Sequence, residues 1–376
     1  MNGEHGSDRD AAGYSELEKF LSGLIDSGTI PGLAALVARG EEVLYRFTGG
    51  RAVKIPFERP VTRDTIFDCA SLTKPLITAP LAARFIERGL LRLEDRLAEH
   101  LPELDGTSKA DLTIEQLLTH RSGLPAWRPL YIHGQDVKSY LETLARLPLE
   151  NEPGERTVYS CLDYILIGFI LERTSGKDIG RLAREEIFKP LALERTFYMP
   201  ERKIIETHVA ATERGNRFER TMAGSEGESF KEWRGELVIG DVHDCNAFYL
   251  KGHSGNAGLF SSCDDLLRYS NELLKGGASV VSPVTRTLLL QGPPGLPGTS
   301  GYTVGFEKAG QPGSSAGPSL SSEAVGHSGF TGVSLWIDPP REGIFILLTN
   351  RIHPRVTDLN MNKIRRDFHA ISAFLL

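Results

Sequence analysis

The sequence has no apolar run long enough to cross a lipid bilayer. Its longest apolar stretch, YILIGFIL at Tyr164–Leu171, has 8 residues, whereas a membrane-spanning helix needs about 20. The start, MNGEHGSDRDAAGYSELEKF, lacks the positive segment and following apolar segment of a secretion signal. We therefore predict no membrane partner and, if this start is the native one, a cytoplasmic location.

Cysteine is scarce, and the four that occur are dispersed: Cys69, Cys161, Cys245 and Cys263. They form neither a dense disulfide framework nor a C-x-x-C pair, so we expect reduced thiols. His243, Asp244 and His253 lie near one another in the sequence but lack the spacing of a known metal motif. We expect them to stabilise a loop through hydrogen bonds, and we predict neither a metal ion nor an organic cofactor.

An excess of positive charge is also missing, because 49 acidic and 43 basic side chains give a net charge of −6. Nucleic-acid-binding proteins carry a basic footprint, so nucleic acid is not an expected partner. Hydrophobic residues make up 40% of the chain and charged residues 24%, as in ordinary soluble globular proteins. A chain of 376 residues is expected to build one large domain or two modest ones.

Hydrophobic periodicity places strands near both ends of the chain and helices between them. Predicted helices are Ser15–Ile25, a helix from Ser71 towards Gly89, one after Ser160 with a capping box at Ser160 and Asp163, and Asn362–Phe374. Predicted strands are Leu33–Arg39 and Val43–Phe47, closed by Gly49 and Gly50, then Tyr302–Phe306, Gly332–Asp338 and Ile344–Asn350. This pattern indicates an α+β fold: an antiparallel sheet domain with terminal helices, residues 1–92 and 236–376, interrupted by a mainly helical insertion, residues 93–235.

Ser71 and Lys74, in the stretch FDCASLTKPLITAP, are candidate catalytic residues. Residues three apart share one face of a helix, and a neutral lysine there could take the proton of a serine that attacks a carbonyl. Pro75 supports a helix start near Ser71, because first-turn amides lack partners, whereas Pro80 predicts a kink. The alternative interpretation is an N-capping serine followed by a solvated lysine.

Two further motifs follow in the chain. Tyr159-Ser160-Cys161 precedes a predicted helix, and Gly326-His327-Ser328-Gly329-Phe330 precedes a predicted hairpin. With Ser71 and Lys74, they resemble the S-x-x-K, Y-x-N and K-T-G or H-T-G motifs of the serine β-lactamases and D-alanyl-D-alanine peptidases, particularly the class C branch and its esterase relatives. The stretches LTIEQLLTHRSGLP, TSGKDI, IFKPLAL and DVHDCNA also look like this family, so the resemblance covers nearly the whole chain.

The resemblance implies the β-lactamase/transpeptidase-like fold, a small-molecule ester, amide or β-lactam substrate, and a role for each motif. Ser71 would be the nucleophile, and Lys74 and Tyr159 would share the acid–base work, with the identity of the base left open. The backbone N–H groups of Ser71 and Phe330 would form the oxyanion hole. The residues implied to line the substrate site are Cys161, His327, Ser328 and Gly329.

Two positions depart from the motifs of the family. Cys161 stands where Y-x-N has asparagine, and a thiol is too weak a donor and acceptor to replace the amide that holds the acylamide side chain of a substrate. His327 stands where K-T-G has lysine, and a histidine with a pKa of ~6.5 anchors a substrate carboxylate less firmly. Arg351 and Arg355 are candidates to compensate for the missing lysine.

These motifs predict a serine hydrolase that works through an acyl-enzyme, and Cys161 favours the hydrolysis of small esters. The alternative is a β-lactamase or a D-alanyl-D-alanine-type peptidase, and a hypothesis of another class is a catalytically silent binding protein on the same fold. The two GHSG tetrapeptides fail the G-x-S-x-G motif at their fifth positions, Asn256 and Phe330. Cys161 as the nucleophile would need a paired histidine that the sequence does not place. Natural substrate, oligomeric state and physiological role stay open.

Overall fold

A seven-stranded antiparallel sheet forms the centre of the computed structural model, which describes residues 5–276 and 280–376. The strands are β1 Gly32–Arg39, β2 Glu42–Val53, β3 Arg59–Pro60, β4 Phe67–Asp68, β5 Phe260–Ser261, β6 Glu307–Lys308, β7 Val325–Ser328, β8 Ser334–Asp338 and β9 Gly343–Thr349. The large sheet has the order β3-β2-β1-β9-β8-β7-β6, and β4 pairs with β5 separately. Both ends of the chain therefore meet in mid-sheet, where Ala35 of β1 lies opposite Leu347 of β9.

Helices cover the sheet and fill the middle of the chain. They are α1 His5–Asp26, α2 Ala79–Glu87, α3 Leu97–His100, α4 Ile114–Leu118, α5 Val137–Arg146, α6 Cys161–Ser175, α7 Ile179–Ala183, α8 Arg202–His208, α9 Arg217–Ala223, α10 Cys245–Tyr249, α11 Cys263–Lys275, α12 Pro283–Leu290 and α13 Met361–Ser372. In the described part of the chain, none combines the length and the apolar character needed to cross a bilayer.

The two faces of the sheet bury different helices. Successive residues of a strand point to opposite faces, so Leu33 and Ala35 pack with α1 and α13, whereas Ala34 and Leu36 join a larger core with α2, α6 and α11. Helices α1 and α13 contact each other on the first face. The predicted α+β architecture, an antiparallel sheet flanked by terminal helices, is confirmed.

The larger core crosses the predicted boundary between domains. It joins Leu36 of β1 to Leu117 of α4 and Ile165 of α6 in a single hydrophobic cluster. Residues 93–235 are mainly helical and share this core with the sheet. The division into residues 1–92 with 236–376 and residues 93–235 stays a prediction.

The segment predicted as one helix from Ser71 towards Gly89 is divided into three parts. A 3₁₀ turn at Ala70–Leu72 is followed by a π-helix at Lys74–Thr78 and then by α2. The N–H of Ala79 closes the π-turn by donating to the carbonyl of Lys74. Pro80 has no N–H, so it can form neither the α-helical bond to the carbonyl of Leu76 nor a further π-type bond to the carbonyl of Pro75. That carbonyl instead accepts a hydrogen bond from the hydroxyl of Tyr269 at 3.3 Å.

The predicted end of the first hairpin at Gly49 and Gly50 is wrong. Strand β2 continues through both glycines to Val53. A Cβ at Gly50, where φ is 77°, would lie 2.3 Å from the carbonyl oxygen of Pro31. The glycine therefore permits a close pairing of β1 and β2 and does not terminate it.

The predicted strand at Tyr302–Phe306 is also wrong. These residues form a turn in which the N–H of Thr303 donates to the carbonyl of Phe306, and the two residues of β6 follow it. Gly305 has a φ of 92°, a conformation that glycine adopts readily but that does not occur in a regular strand.

Candidate active site

A cavity of about 1160 Å³ opens between residues of the sheet and of the helical region. Its lining includes every predicted site residue except Lys74: Ser71, Tyr159, Cys161, His327, Ser328, Gly329 and Phe330. Three distant stretches supply them, namely the turn before the π-helix, the start of α6, and the end of β7 with the turn that follows. The structure thus brings the three motifs together around one cavity.

Ser71 lies in a strained 3₁₀ turn. The preceding residue, Ala70, has a φ of 45°, a left-handed conformation that costs a non-glycine residue about 1–2 kcal/mol. The N–H of Ala70 donates to Asp68 Oδ1 at 2.8 Å, and its carbonyl accepts from the Thr73 hydroxyl at 2.7 Å, so polar groups hold the turn. The side chain of Ser71 caps no helix, which contradicts the alternative of an N-capping serine.

The hydroxyl of Ser71 lies between two hydrogen-bonding side chains. Lys74 Nζ is 3.0 Å from Ser71 Oγ, and Tyr159 OH is 2.7 Å from it. Lys74 follows at the start of the π-helix and has no solvent exposure. It is therefore not the solvated lysine of the alternative interpretation, and the serine has a possible base in direct contact.

Burial shifts the pKa values of the two neighbours of Ser71 in opposite directions. It lowers the pKa of Lys74 and raises the pKa of Tyr159 well above its usual range. Tyr159 therefore keeps its phenolic proton and donates to Ser71 Oγ, whereas Lys74 can lose its proton and accept one from the serine. The carbonyl of Asn256 accepts from Lys74 Nζ at 2.9 Å and fixes the position of the amine.

Cys161 is the first residue of α6, and its thiol lies beside the same groups. Its Sγ is 3.6 Å from Lys74 Nζ and 3.8 Å from Tyr159 OH. A thiol forms only weak hydrogen bonds. The position that carries asparagine in Y-x-N therefore faces the expected neighbours without an amide to offer a substrate.

The predicted capping box at Ser160 and Asp163 is wrong. Ser160 caps α6 alone, with its Oγ accepting from the N–H of Leu162 at 3.1 Å. Asp163 is fully buried, and its Oδ2 lies 2.9 Å from His120 Nδ1 while its Oδ1 accepts from the hydroxyl of Ser122. A carboxyl group removed from water needs hydrogen bonds in the interior, and these partners supply them.

His327 on β7 lies next to Tyr159, with ring centroids 5.5 Å apart. Its Nδ1 is 2.8 Å from the carbonyl oxygen of Ser328, which can only accept, so Nδ1 carries the ring proton. Burial and the nearby Lys74 lower the pKa of His327 to about 3. The ring is neutral at physiological pH and offers a substrate carboxylate no positive charge.

Of the two arginines considered as replacements for the missing lysine, Arg351 lines the cavity and Arg355 does not. The Arg351 guanidinium stacks on the Phe330 ring at 4.8 Å, and its Nε donates to the Phe330 carbonyl at 2.9 Å. Arg355 is exposed. The structure therefore leaves Arg351 as a candidate and contradicts a role for Arg355 at this cavity.

The turn at Gly329 and Phe330 packs against the turn that carries Ser71. A Cβ at Gly329 would lie 2.7 Å from the carbonyl oxygen of Cys69 and 3.1 Å from the Cβ of Ala70, so glycine permits the approach. In the described ranges, neither the N–H of Ser71 nor that of Phe330 donates to another protein group. Both N–H groups are thus available for the oxyanion-hole role that the resemblance implies.

A family model matches the sequence over most of the chain, in agreement with the geometry of the site. The family model described as Beta-lactamase matches residues 17–369. The chain belongs to the Beta-lactamase family. The resemblance inferred from three motifs is thereby confirmed, and the family places this protein among the serine hydrolases.

Two curated proteins are similar to this chain over most of their length. A putative D-alanyl-D-alanine carboxypeptidase of Escherichia coli (strain K12) is 31% identical over 380 residues, covering 93% of this chain and 84% of that protein. An N-acetylmuramyl-L-alanine amidase of Bacillus subtilis (strain 168) is 30% identical over 360 residues, covering 88% of this chain and 80% of that protein.

Solved structures share the β-lactamase fold. EstCE1, a hydrolase with promiscuous acyltransferase activity, superposes with a TM-score of 0.74 at 22% identity, covering 96% of this chain and 99% of that one. A class C β-lactamase from Rhodobacter sphaeroides gives 0.71 at 19% identity, with the same coverage of both chains. At these identities the likeness shows the fold alone.

Three residues that hold the catalytic side chains of this Beta-lactamase family member in place were not predicted from the sequence. His120 lies in the stretch LTHRSGLP, Asn256 completes GHSGN, and Asp163 is the only acid in the apolar run LDYILIGFIL. The last of these carried a usable signal, because a single carboxyl on a helix that is apolar all round needs a buried partner. Nothing in the local sequence identified that partner as His120.

Of the residues considered as metal ligands, His243 forms a hydrogen bond to a carboxylate, as expected for a stabilising role, and His253 lies close to another carboxylate. His243 Nε2 lies 3.0 Å from Glu213 Oε2, and His253 Nδ1 lies 3.2 Å from Asp178 Oδ1. No group of three or more potential metal ligands occurs within residues 5–276 and 280–376. All four cysteines are free thiols.

Proposed function

We propose that this member of the Beta-lactamase family hydrolyses small carboxylic esters through an acyl-enzyme on Ser71. One observation carries the serine chemistry: Ser71 Oγ lies 3.0 Å from Lys74 Nζ and 2.7 Å from Tyr159 OH at the wall of a large cavity. A serine hydroxyl becomes a good nucleophile only when a neighbouring base accepts its proton. A buried lysine with a lowered pKa is suited to that task.

Acylation follows from this arrangement. Neutral Lys74 accepts the proton of Ser71 as Oγ attacks the ester carbonyl carbon, and the N–H groups of Ser71 and Phe330 stabilise the oxyanion. The carbon–oxygen bond to the leaving alcohol then breaks. The proton returns from Lys74 to the departing alkoxide, either directly or through the hydroxyl of Tyr159.

Deacylation uses the same groups in reverse order. A water molecule takes the place of the alcohol and attacks the acyl carbon while Lys74 accepts its proton. The bond to Ser71 Oγ breaks, and the serine regains a proton from Lys74. The products are a carboxylic acid and the free enzyme.

Cys161 supports esters as the preferred substrates. The family's asparagine offers an amide to the acylamide side chain of a β-lactam or peptide, and a thiol at 3.6 Å from Lys74 Nζ offers no comparable donor. Small esters need no such contact. The neutral His327 also gives little support to the carboxylate that these amide substrates carry.

The second candidate is hydrolysis of an amide bond, including a β-lactam or a D-alanyl-D-alanine peptide. It is favoured by the names of the two relatives at 31% and 30% identity, one a putative carboxypeptidase and the other an amidase. A catalytically silent binding protein is less well supported. Such a protein would have no need for a buried lysine in contact with a serine hydroxyl, because burying an amine costs folding free energy.

The proposal can be tested by intact-mass measurement and steady-state kinetics. The purified protein is incubated with a fluorophosphonate, a chromogenic cephalosporin, p-nitrophenyl butyrate and a D-alanyl-D-alanine peptide. We expect one covalent fluorophosphonate adduct, absent in Ser71→Ala, and a higher kcat/KM for the ester than for the other two substrates. A missing adduct would overturn the serine chemistry, and a higher kcat/KM for the cephalosporin or the peptide would overturn the ester preference.

A further inference from the structure

A buried arginine on α13 holds one of the two peptide groups implied to form the oxyanion hole. Arg365 is 5% exposed, and its Nη2 donates to the carbonyl oxygens of Gly329 at 2.8 Å and Val333 at 3.0 Å. Its Nη1 donates to Asn362 Oδ1 at 2.9 Å. The guanidinium therefore bridges the C-terminal helix to the turn after β7.

The carbonyl of Gly329 accepts from Arg365 and also from the N–H of Gly332 at 3.0 Å, and these two bonds together hold the direction of the Phe330 N–H. The carbonyl of Gly329 and the N–H of Phe330 belong to the same peptide unit, which is planar and trans. In a trans peptide the two groups point in opposite directions, so a carbonyl held towards α13 turns the N–H away from that helix. No described protein group accepts this N–H, and Phe330 lines the cavity.

The second peptide of the implied oxyanion hole is held in the same way. The carbonyl of Ala70 shares a peptide unit with the N–H of Ser71, and it accepts from the hydroxyl of Thr73 at 2.7 Å. Each of the two N–H groups therefore belongs to a peptide unit whose carbonyl oxygen accepts a hydrogen bond from a buried side chain. Hydrogen bonding to the carbonyl also polarises the peptide and strengthens its N–H as a donor.

Burial of the charged guanidinium of Arg365 lowers the free energy of unfolding, so the residue is unfavourable if its only role is in the fold. It forms no salt bridge among the described residues, and its hydrogen bonds go to two backbone carbonyls and one side-chain amide oxygen. Burial and the neighbouring Arg351 lower the pKa of Arg365 to about 9. The nearby Glu307 carboxylate raises the pKa of Arg365 but does not offset the effect of burial. The buried charge is therefore only partly compensated, at a turn that contributes one of the implied oxyanion donors.

We propose that Arg365 is a positioning residue of the oxyanion hole, which orients and polarises the Phe330 N–H through the carbonyl of Gly329. The inference rests on the proposed acyl-enzyme chemistry. Arg365 does not touch the reacting atoms in this role and acts through the peptide it holds. Its contribution should therefore appear in the transition state, where negative charge develops on the oxygen, and hardly at all in substrate binding.

The test compares Arg365→Gln and Arg365→Lys with the native enzyme, using p-nitrophenyl butyrate and phenylboronic acid. The boronate forms a tetrahedral adduct with a nucleophilic serine and so imitates the charged intermediate. Loss of one oxyanion donor costs about 10²–10³ in rate, and misorientation of one should cost roughly tenfold to a hundredfold. We expect kcat to fall by that factor, KM to change less than about threefold, and the boronate Ki to rise in parallel with the fall in kcat/KM.

Arg84→Gln is the matched control. Arg84 is a partly buried arginine on α2 that donates to the Val280 carbonyl at 2.7 Å and, unlike Arg365, also pairs with Glu186 Oε2 at 2.7 Å; it does not line the cavity. This variant should lose thermal stability without a change in the ratio of boronate Ki to KM. A purely structural role of Arg365 would give the same pattern, with a lower Tm and an unchanged ratio.

The outcomes separate this inference from the proposed function. If native protein forms no fluorophosphonate adduct on Ser71, the proposed function fails. If the adduct forms but both Arg365 variants keep the native kcat and boronate Ki, the positioning role is overturned. It is equally overturned if neither variant folds, because the guanidinium would then be required by the fold itself.

Discussion

The side-chain nitrogen of Lys74 lies 3.0 Å from the hydroxyl oxygen of Ser71, and the lysine is completely shielded from solvent. Burial disfavours the charged amine and lowers its pKa. A lysine that loses its proton more readily can accept one from a serine. The contact between these two residues and the burial of the lysine therefore predict how the activity of the enzyme depends on pH.

The rate of acylation should rise with pH through the lowered pKa of Lys74. Below that pKa the amine keeps its proton and cannot act as a base, and above it the neutral amine is available. Because the pKa is lowered, the rise should occur below the value of ~10.4 that an unperturbed lysine shows. The measurement is kcat/KM for p-nitrophenyl butyrate across the pH range, and Lys74→Arg, which stays protonated, should be inactive throughout. A rate independent of pH in the native enzyme would contradict this role.

Replacement of either Ser71 or Lys74 with alanine should remove nearly all turnover. Residues that act as one catalytic unit are not additive, so the double variant should be little worse than either single one. Ser71→Ala should also prevent fluorophosphonate labelling, while circular dichroism and Tm show an intact fold. Labelling that persists in Ser71→Ala would move the nucleophile elsewhere, and Cys161 would be the next residue to test.

His120 holds the backbone on both sides of Tyr159. The carbonyl of His120 accepts from the N–H of Val158 at 2.9 Å, and its Nδ1 accepts from the N–H of Ser160 at 3.2 Å. The ring also packs against Tyr159, with centroids 4.8 Å apart. Burial lowers the pKa of His120 well below its usual range, so the ring is neutral and can accept at Nδ1.

His120→Phe should therefore lower kcat by roughly tenfold to a hundredfold, because small displacements of a catalytic group are costly. The phenylalanine keeps a ring beside Tyr159 but loses the acceptor for the Ser160 N–H. His120→Asn should be less damaging, since asparagine tolerates the φ of 56° found here and offers a carbonyl acceptor. The control is His369→Phe, which removes a buried histidine away from the cavity. Equal kcat values in His120→Phe and native enzyme would exclude a positioning role.

Much of the fold and the three motifs could be predicted from local patterns. Strands such as β1 and β9 appear as apolar runs bounded by turn residues, and their extents depend mainly on neighbouring residues. The spacing of Ser71 and Lys74 predicted that their side chains share one face, and they do meet, although the segment is a 3₁₀ turn and a π-helix and not one α-helix. The family resemblance then connected them to Tyr159 and His327, which are distant in sequence.

The contacts that could not be predicted are those made between distant segments. The local sequence predicts that Asp163 caps a helix, but its side chain forms a hydrogen bond with His120, 43 residues earlier in the chain. The carbonyl of Asn256 reaches Lys74 from a loop 182 residues away. Local sequence carries no signal for such pairs. The cytoplasmic location and the division into domains likewise remain predictions.

Restoring asparagine at position 161 should shift the preference of the enzyme towards β-lactams. In Cys161→Asn the amide can donate to the acylamide side chain of a cephalosporin, which the native thiol, 3.6 Å from Lys74 Nζ, cannot do effectively. One hydrogen bond to a neutral group contributes about 0.5–1.5 kcal/mol, so kcat/KM for the cephalosporin should rise roughly two- to tenfold. The value for p-nitrophenyl butyrate should change less, because this ester has no group to receive the bond.

Cys161→Ser is the matched control for that substitution. Serine replaces the thiol with a small polar group but, like cysteine, lacks an amide that reaches the substrate. Cephalosporin hydrolysis should therefore rise in Cys161→Asn and stay near the native level in Cys161→Ser, with rates measured for both substrates in all three proteins. If Cys161→Ser gains as much as Cys161→Asn, loss of the sulfur explains the change and the amide does not. If the native enzyme already hydrolyses the cephalosporin far better than the ester, the esterase preference is wrong and the β-lactamase alternative replaces it.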